Sequence, residues 1–408
     1  MLQGKRILVG IGGGIAAYKV CDLVSQLFQA GADVRCVLTE SACQFVAPLS
    51  FSTLSRHAAY TDAEFWRGDR PRPLHIELGE WAEAIVLAPL TANTLGKLAH
   101  GLADNLLTNI LLASRCPVLV APAMNTDMWE QPAVRQNWAQ LQQDDRYHVL
   151  EPGAGLLACD RVGKGRMAEP SELLWALRSL LYVNGKRDLA DKSILISAGS
   201  TREFLDPVRF LGNPSTGKMG IALARAALHR GARVILVHGP IAPELLPPPQ
   251  ANLQQVAVTT AAEMQATLLE AMPTADCTLM AAAVADVKPA TCAAEKLPKR
   301  SLPTALPLVS VPDIVAELSR RKTPGQTLIG FAAQTGDLAA PALEKLQRKN
   351  LDAIVANPID IPEAGFGSDR NQAIWFDRQG GRTDFPTGSK FLLAHRIYDR
   401  WQEFLVGV

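Results

Sequence analysis

After its first residue the run Arg6–Gly10 is apolar without interruption and closes on glycine, the pattern of a short parallel strand buried on both faces. Ala16, Val20, Leu23, Val24, Leu27 and Phe28 then recur at helical spacing, Gly31 stands where a helix cap belongs, and Asp33–Leu38 reads as the next strand. This is a βαβ unit. The same succession returns at Ser193–Ser197, with an amphipathic run over Met219–His229, Gly231 at the cap and Ala232–Val237 as the following strand. Further buried strands are predicted at Ala84–Leu87, Pro117–Val120, Cys277–Met280, Thr327–Gly330 and Asp352–Val355. The expected fold class is α/β, with two doubly wound, Rossmann-like domains and mainly parallel sheets. The polar segment Tyr182–Lys192, which contains Asn-Gly, sets the domains at 1–188 and 189–408. Ile241–Gln250, with four prolines, reads as a surface connection inside the second domain.

Composition narrows the function classes. A chain of 408 residues with 48% hydrophobic and 20% charged residues can bury real cores, and a net charge of +1 leaves no basic excess for nucleic acid. The seven cysteines form no CxxC pair, so neither a zinc ribbon nor a disulfide framework is supported. No apolar stretch approaches the ~18 residues of a membrane span, and the N-terminus enters a strand without a secretory h-region. A reduced cytoplasm is expected, with no membrane partner.

Two glycine loops suggest phosphate chemistry and fail familiar tests. Gly10-Ile-Gly12-Gly-Gly14-Ile15 lies between strand and helix, where backbone N–H groups and the helix dipole favour phosphate. Ile15 occupies the third glycine position of the dinucleotide fingerprint, and Thr39 ends the second strand where an NAD site places an acid, with Glu40 one step late. A mononucleotide suits the loop better. Gly212–Lys218 matches GxxxxGK, but Met219 replaces the magnesium-binding hydroxyl and Thr201–Ser215 separates the loop from its strand, as a polar lid would. His75-Ile-Glu77 imitates the HxE of zinc deaminases, yet Cys116-Pro117 is in the wrong order and has no second cysteine near it.

In combination the motifs say more. Gly13-Gly-Ile-Ala-Ala-Tyr-Lys19, His75-Ile-Glu-Leu78, Ala88-Pro-Leu-Thr-Ala-Asn93, Pro122-Ala-Met-Asn125 with Met128-Trp129, and Ala158-Cys159 with Gly165-Arg-Met167 resemble, in order and spacing, the FMN-dependent phosphopantothenoylcysteine decarboxylases. Ala198–Glu203, Asp206-Pro-Val-Arg209, Asn213 with Ser215–Gly220, Ala281–Asp286, Glu295-Lys296, Pro312–Val315 and Gly330–Ala333 resemble the phosphopantothenate-cysteine ligase domain. The resemblance covers nearly the whole chain, in the domain order of the bifunctional coenzyme A biosynthesis family.

For the first domain it implies a flavodoxin-like flavoprotein fold with FMN on Gly13, Gly14, Thr39, Pro89, Thr91 and Asn93. A cysteine carboxylate has no electron sink. Oxidation of the substrate thiol to a thioaldehyde creates one, and the enethiol left after CO2 loss is reduced to 4'-phosphopantetheine. By the same resemblance His75 orients the substrate or manages its proton, Asn125 holds the carboxylate as a neutral donor, and Cys159 supplies the final proton from a glycine-rich flap over Pro152–Arg166. Gly12 departs from the family, where serine is usual.

For the second domain the resemblance implies that CTP and 4'-phosphopantothenate form an acyl-cytidylate, which the amine of cysteine opens to give phosphopantothenoylcysteine. Lys296 would screen phosphate charge as the carboxylate attacks, and Asn213 would serve turnover of the intermediate. Ala282, Asp286, Pro312, Asp313, Ile314, Val315 and Phe331 would form the nucleotide pocket. Lys345 and Lys349, one helical turn apart, would face the triphosphate with Mg2+. No residue is assigned as a metal ligand. Gly212, Gln334 and Pro298 depart from the usual residues. The family also implies a homo-oligomer, trimeric through the flavin domain and dimeric through the ligase domain. Two other classes are a non-catalytic flavoprotein regulatory subunit and a nicotinamide oxidoreductase. The joint presence of His75, Asn125, Cys159 and a ligase domain argues against the first, and the missing acid at the end of the second strand against the other.

Overall fold

Ile7, Val9 and Ile11 pack on one side of β1 (Arg6–Ile11) and Leu8 on the other, all without exposed surface. A strand presents alternate residues to opposite faces, so an unbroken apolar run means both faces are covered. A computed structural model describes residues 1–302, 304–361, 365 and 367–407 and divides the chain into two compact units, Met1–Lys186 and Arg187–Val408.

The first unit continues with β2 (Asp33–Leu38), β3 (Ala84–Leu90), β4 (Val118–Pro122) and β5 (Tyr147–Val149). All five strands are parallel, in the order β2-β1-β3-β4-β5. This is the flavodoxin-like doubly wound order, with its switch point between β1 and β3. One face is covered by helices Ala17–Gln29 and Pro170–Tyr182 through Val20, Leu23, Leu27, Leu173 and Leu177; the other is covered by Leu74–Trp81 and Leu106–Ala113 through Leu78, Leu107 and Ile110. Gly31 has φ of +82°, which explains a glycine just after the first helix. The stretch expected to be a flap forms an antiparallel hairpin, β6 (Gly153–Leu156) with β7 (Val162–Arg166).

The second unit opens with β8 (Ser193–Ala198). A small hairpin, β9 (Glu203–Phe204) with β10 (Phe210–Leu211), occupies the segment expected to be a lid. Then come β11 (Arg233–His238), β12 (Leu253–Ala257), β13 (Cys277–Met280), a ribbon of β14 (Val287–Pro289) and β15 (Leu308–Ser310), β16 (Thr327–Gln334), β17 (Ala353–Pro358), β18 (Arg370–Asp377) and β19 (Arg382–Ser389). Among the described residues the main sheet runs β12-β11-β8-β13-β16-β17-β18-β19, with the last two strands antiparallel. Counted in chain order, its six parallel strands follow 3-2-1-4-5-6, the Rossmann order. Helices Ala261–Ala271, Ile314–Arg321 and Ala339–Arg348 share one core. Helices Lys218–His229 and Lys390–Val406 pack together, with Tyr398 Oη donating to the Leu223 carbonyl at 3.0 Å. Arg230 is buried and pairs with Asp188 and Asp399, while Leu189 is fully buried, so residues 187–189 pack with the second unit.

Candidate active sites

In the first unit the chemistry-bearing residues gather beyond the C-terminal ends of the parallel strands, where open α/β sheets bind ligands. β1 runs into Gly12, Gly13 and Gly14 before the helix starts at Ala17. A Cβ on Gly13 would lie 2.3 Å from the Cβ of Ser41, and one on Gly12 would lie 2.4 Å from the carbonyl oxygen of Pro89. Backbone therefore approaches backbone at both positions, whereas Gly14 meets nothing closer than 3.9 Å. Thr39 follows β2 and accepts from the Ala42 N–H at 3.2 Å. Pro89 follows a cis peptide within β3, Thr91 caps the next helix through the Thr94 N–H at 3.2 Å, and Asn93 is exposed on its first turn. This is a rim of backbone amides and small hydroxyls with no cationic side chain among the six residues, and it suits a flavin phosphate on neutral donors.

Asn125 follows β4 and caps the helix Thr126–Glu130, its Oδ1 accepting from the Asp127 N–H at 2.7 Å. Its Nδ2 donates to Sγ of Cys159 at 3.2 Å. The hairpin brings Cys159 there. A Cβ on Gly163 would be 2.3 Å from Thr126 Oγ1, and one on Gly165 2.2 Å from the Met124 carbonyl oxygen, so only glycines let β7 lie against the Asn125 segment. The Met124 N–H donates to the Gly165 carbonyl at 3.1 Å, and Arg161 pairs with Asp127 beside the tip. His75, on the first turn of Leu74–Trp81, packs edge-on against Phe65 with ring centroids 5.6 Å apart. Its Nδ1 is buried and has no partner among the described residues, leaving a polar atom available to a bound molecule. No hydrogen bond among the described residues links His75 to Asn125 or Cys159.

The second unit holds a cavity of about 680 Å³ at the C-terminal ends of β13, β16 and β17. Asn213, Ala282, Asp286, Phe331, Lys345, Lys349 and the run Pro312–Val315 all line it. Lys345 donates to the Phe331 carbonyl at 2.9 Å. Burial holds its ammonium below the usual lysine range, and Asp286 opposes that shift. Lys349 forms an ion pair with Asp313, which also caps the helix Ile314–Arg321 through the Ala316 N–H at 3.0 Å. Asn213 donates to the carbonyls of Val284 at 3.0 Å and Ala283 at 3.4 Å. Lys296 is the exception: it is exposed and does not line the cavity.

The cavity also contains two lysines to which the sequence assigned no role. Lys390, buried at the head of the last helix, donates to the Gly365 carbonyl at 2.9 Å and is pushed down to about 8 by burial, with Lys218 adding to the effect and Asp369 opposing it. Lys218 pairs with Asp369 at 2.6 Å. It stood in the sequence as the lysine of an imperfect P-loop; Lys390 carried no local signal.

A family model described as Flavoprotein matches residues 1–181, and one described as DNA/pantothenate metabolism flavoprotein C-terminal domain matches 189–405. A curated relative named Coenzyme A biosynthesis bifunctional protein CoaBC, from Bacillus subtilis, is 44% identical over 97% of this chain and 96% of its own length. A protein of the same name from Vibrio vulnificus is 40% identical over 99% of each chain. Among solved structures, the C-terminal domain of a CoaBC protein is 33% identical, covering 55% of this chain and 100% of that one with a TM-score of 0.46. The FMN-binding protein AtHal3 is 40% identical, covering 43% of this chain and 96% of its own with a TM-score of 0.39. Two family models in sequence and relatives aligned across both units lead to one statement: the chain belongs to the family of the coenzyme A biosynthesis bifunctional protein CoaBC.

Proposed function

We propose that the chain makes 4'-phosphopantetheine in two steps, a CTP-dependent ligation of 4'-phosphopantothenate to cysteine in the second unit and a decarboxylation of the product in the first. The observation that carries this is the presence, in one chain, of two different sites at the C-terminal ends of the parallel strands of two sheets. One offers glycine amides and small hydroxyls; the other is a large cavity edged by lysines.

In the first unit FMN on Gly13, Gly14, Thr39, Pro89, Thr91 and Asn93 would accept and return two electrons, the chemistry that makes CO2 loss possible. Asn125 binds the substrate carboxylate through Nδ2 as a neutral donor, so no fixed positive charge stabilises the ground state against decarboxylation. Cys159 sits within reach of that same amide and holds the proton needed at the enethiol carbon. His75 presents Nδ1 to the substrate from its helix.

In the second unit a carboxylate becomes an electrophile only once its oxygen carries CMP. Lys345 and Lys349 face the triphosphate and offset its charge, and Lys296 comes in from outside the cavity as the carboxylate attacks. Asn213 acts on the acyl-cytidylate that follows. Mg2+ would arrive on the phosphates of the nucleotide; among the described residues no group of three or more His, Cys, Asp or Glu could hold a metal. A homo-oligomer with contacts through both units belongs to the same reading and rests on the family resemblance. No described helix is long and apolar enough to cross a membrane, and all seven cysteines are free, which suits a cytoplasmic enzyme.

Incubation with 4'-phosphopantothenate, cysteine and CTP, followed by mass analysis, tests both steps. Pyrophosphate, CMP, CO2 and 4'-phosphopantetheine are expected. Ligation without decarboxylation would remove the proposal for the first unit only.

A further inference from the structure

The motif Asp206-Pro-Val-Arg209 has no part in the chemistry assigned above, yet its carboxylate has no exposed surface. Asp206 sits in the turn that joins β9 to β10. Its Oδ1 accepts from the N–H groups of Val208 and Arg209, both at 2.8 Å, and its Oδ2 accepts from the Leu297 N–H at 3.2 Å. Arg209 completes the arrangement, pairing with Asp206 and donating to the Leu297 carbonyl at 3.1 Å. Burial works against the charge, and these donors outweigh it, holding the carboxyl at about 2.

Leu297 follows Lys296 directly, so both polar backbone groups of that residue are held by the turn. A second hold lies just upstream, where the Ala293 N–H donates to the Leu205 carbonyl at 2.9 Å. Ala294, Glu295 and Lys296 are thus strung between two attachments to one turn. The Lys296 side chain remains exposed while its backbone is fixed. The same hairpin leaves through β10 directly towards Asn213, whose side chain is bonded to the carbonyls of Ala283 and Val284.

We propose that Asp206 is a positioning residue: from the tip of the β9–β10 hairpin it holds the backbone of Leu297, fixes the segment that presents Lys296, and joins that segment to the loop that carries Asn213. The two residues assigned to successive halves of the ligation then ride on one body. A buried carboxylate with this many donors has no slack, so the Lys296 segment moves only when the hairpin moves with it. This rests on the role given to Lys296 above.

The test is a double-mutant cycle on the full chain with CTP and 4'-phosphopantothenate, reading pyrophosphate release, KM for CTP and thermal stability. Asp206→Asn is expected to lower kcat for pyrophosphate release on the order of tenfold or more, with KM for CTP changed less than about threefold because Lys296 does not line the nucleotide cavity. In the Lys296→Gln background the same change should add no further loss. Leu297→Pro removes the N–H that Asp206 accepts while leaving the carboxylate in place. It should reproduce both results if Asp206→Asn does not fold. Losses that multiply in the double variant, or folded single variants with full activity, would overturn the positioning role. If Lys296→Gln alone leaves pyrophosphate release intact, the role of Lys296 is wrong and the inference falls with it, a result distinct from multiplying losses.

Discussion

The amide of Asn125 is fixed from both ends: Oδ1 is taken by the Asp127 N–H at 2.7 Å, which turns Nδ2 onto Sγ of Cys159 at 3.2 Å. An N-cap thus decides which way a functional amide points. Asn125→Asp keeps the capping oxygen and replaces the donating Nδ2 with a second oxygen, an acceptor. Decarboxylation is expected to fall on the order of a hundredfold as substrate carboxylate and side chain repel, with the melting temperature nearly unchanged. CO2 release with a parallel thermal melt measures this, and a wild-type rate would sink the assignment. Cys159→Ser should differ, releasing CO2 and stalling afterwards, because a hydroxyl is a far weaker acid than a thiol of pKa ~8.5.

Gly12 explains its own departure from the family. The carbonyl of Pro89 occupies the space where a side chain would begin, so restoring the usual residue with Gly12→Ser should lower flavin retention rather than improve it. Gly13→Ala, pressed against Ser41, should lower it as well. The ratio of absorbance at about 450 nm, a general flavin band, to that of the protein reads the result. Higher flavin content in Gly12→Ser would refute it.

Acid should destabilise the second unit through two histidines. Burial pushes His229 and His395 down to about 3, with Arg225 adding to the effect at the first and Arg230 at the second. Both are neutral in the fold and titrate near 6.5 when unfolded. Between these values the unfolded chain binds the extra protons, so stability rises with pH across the window and is lost as pH falls below about 6.5, by on the order of 2 kcal/mol per histidine at pH 5. Denaturation midpoints measured from about pH 7.5 down to about pH 5 should show the slope, and His395→Gln should flatten it. An unchanged slope would count against the mechanism.

The start of the second unit is set by an ion pair. Arg230 reaches Asp188 and Asp399 from a buried position, and Gln402 donates to the Asp188 carbonyl at 3.0 Å. Asp188→Ala is expected to cost roughly 1–3 kcal/mol, less than a fully stripped buried charge because Asp399 remains. Limited proteolysis should accordingly cut upstream of Arg187. A dominant cut between Asp188 and Leu189 would contradict this.

Periodicity made the central strands legible. Arg6–Gly10 and Cys277–Met280 lie between two covered faces and must be apolar at every inward position. The edges did not have to be. Leu253–Ala257 carries two adjacent glutamines, Arg382–Ser389 begins Arg-Thr-Asp, and Gly153–Leu156 is half glycine, so local hydrophobicity announced none of them. The glycine loop after β1 was legible because strand ends impose local motifs, whereas Asn125 was named only through the resemblance carried by Pro122–Asn125. Lys390 was not, because the chain carries it to the cavity from a distant helix.

Glycine at 163 and 165 has a mechanical consequence. Those residues seat β7 firmly, and the turn Leu157–Arg161 is closed by a Leu157 N–H to Arg161 carbonyl bond of 2.8 Å and a left-handed Asp160, φ +61°. The arm is therefore held along β7 and again at its tip, where Arg161 pairs with Asp127. A thiol on a short turn above a rigid floor already lies at the Asn125 amide, so in the proposed reaction proton delivery would need no closing of the whole arm.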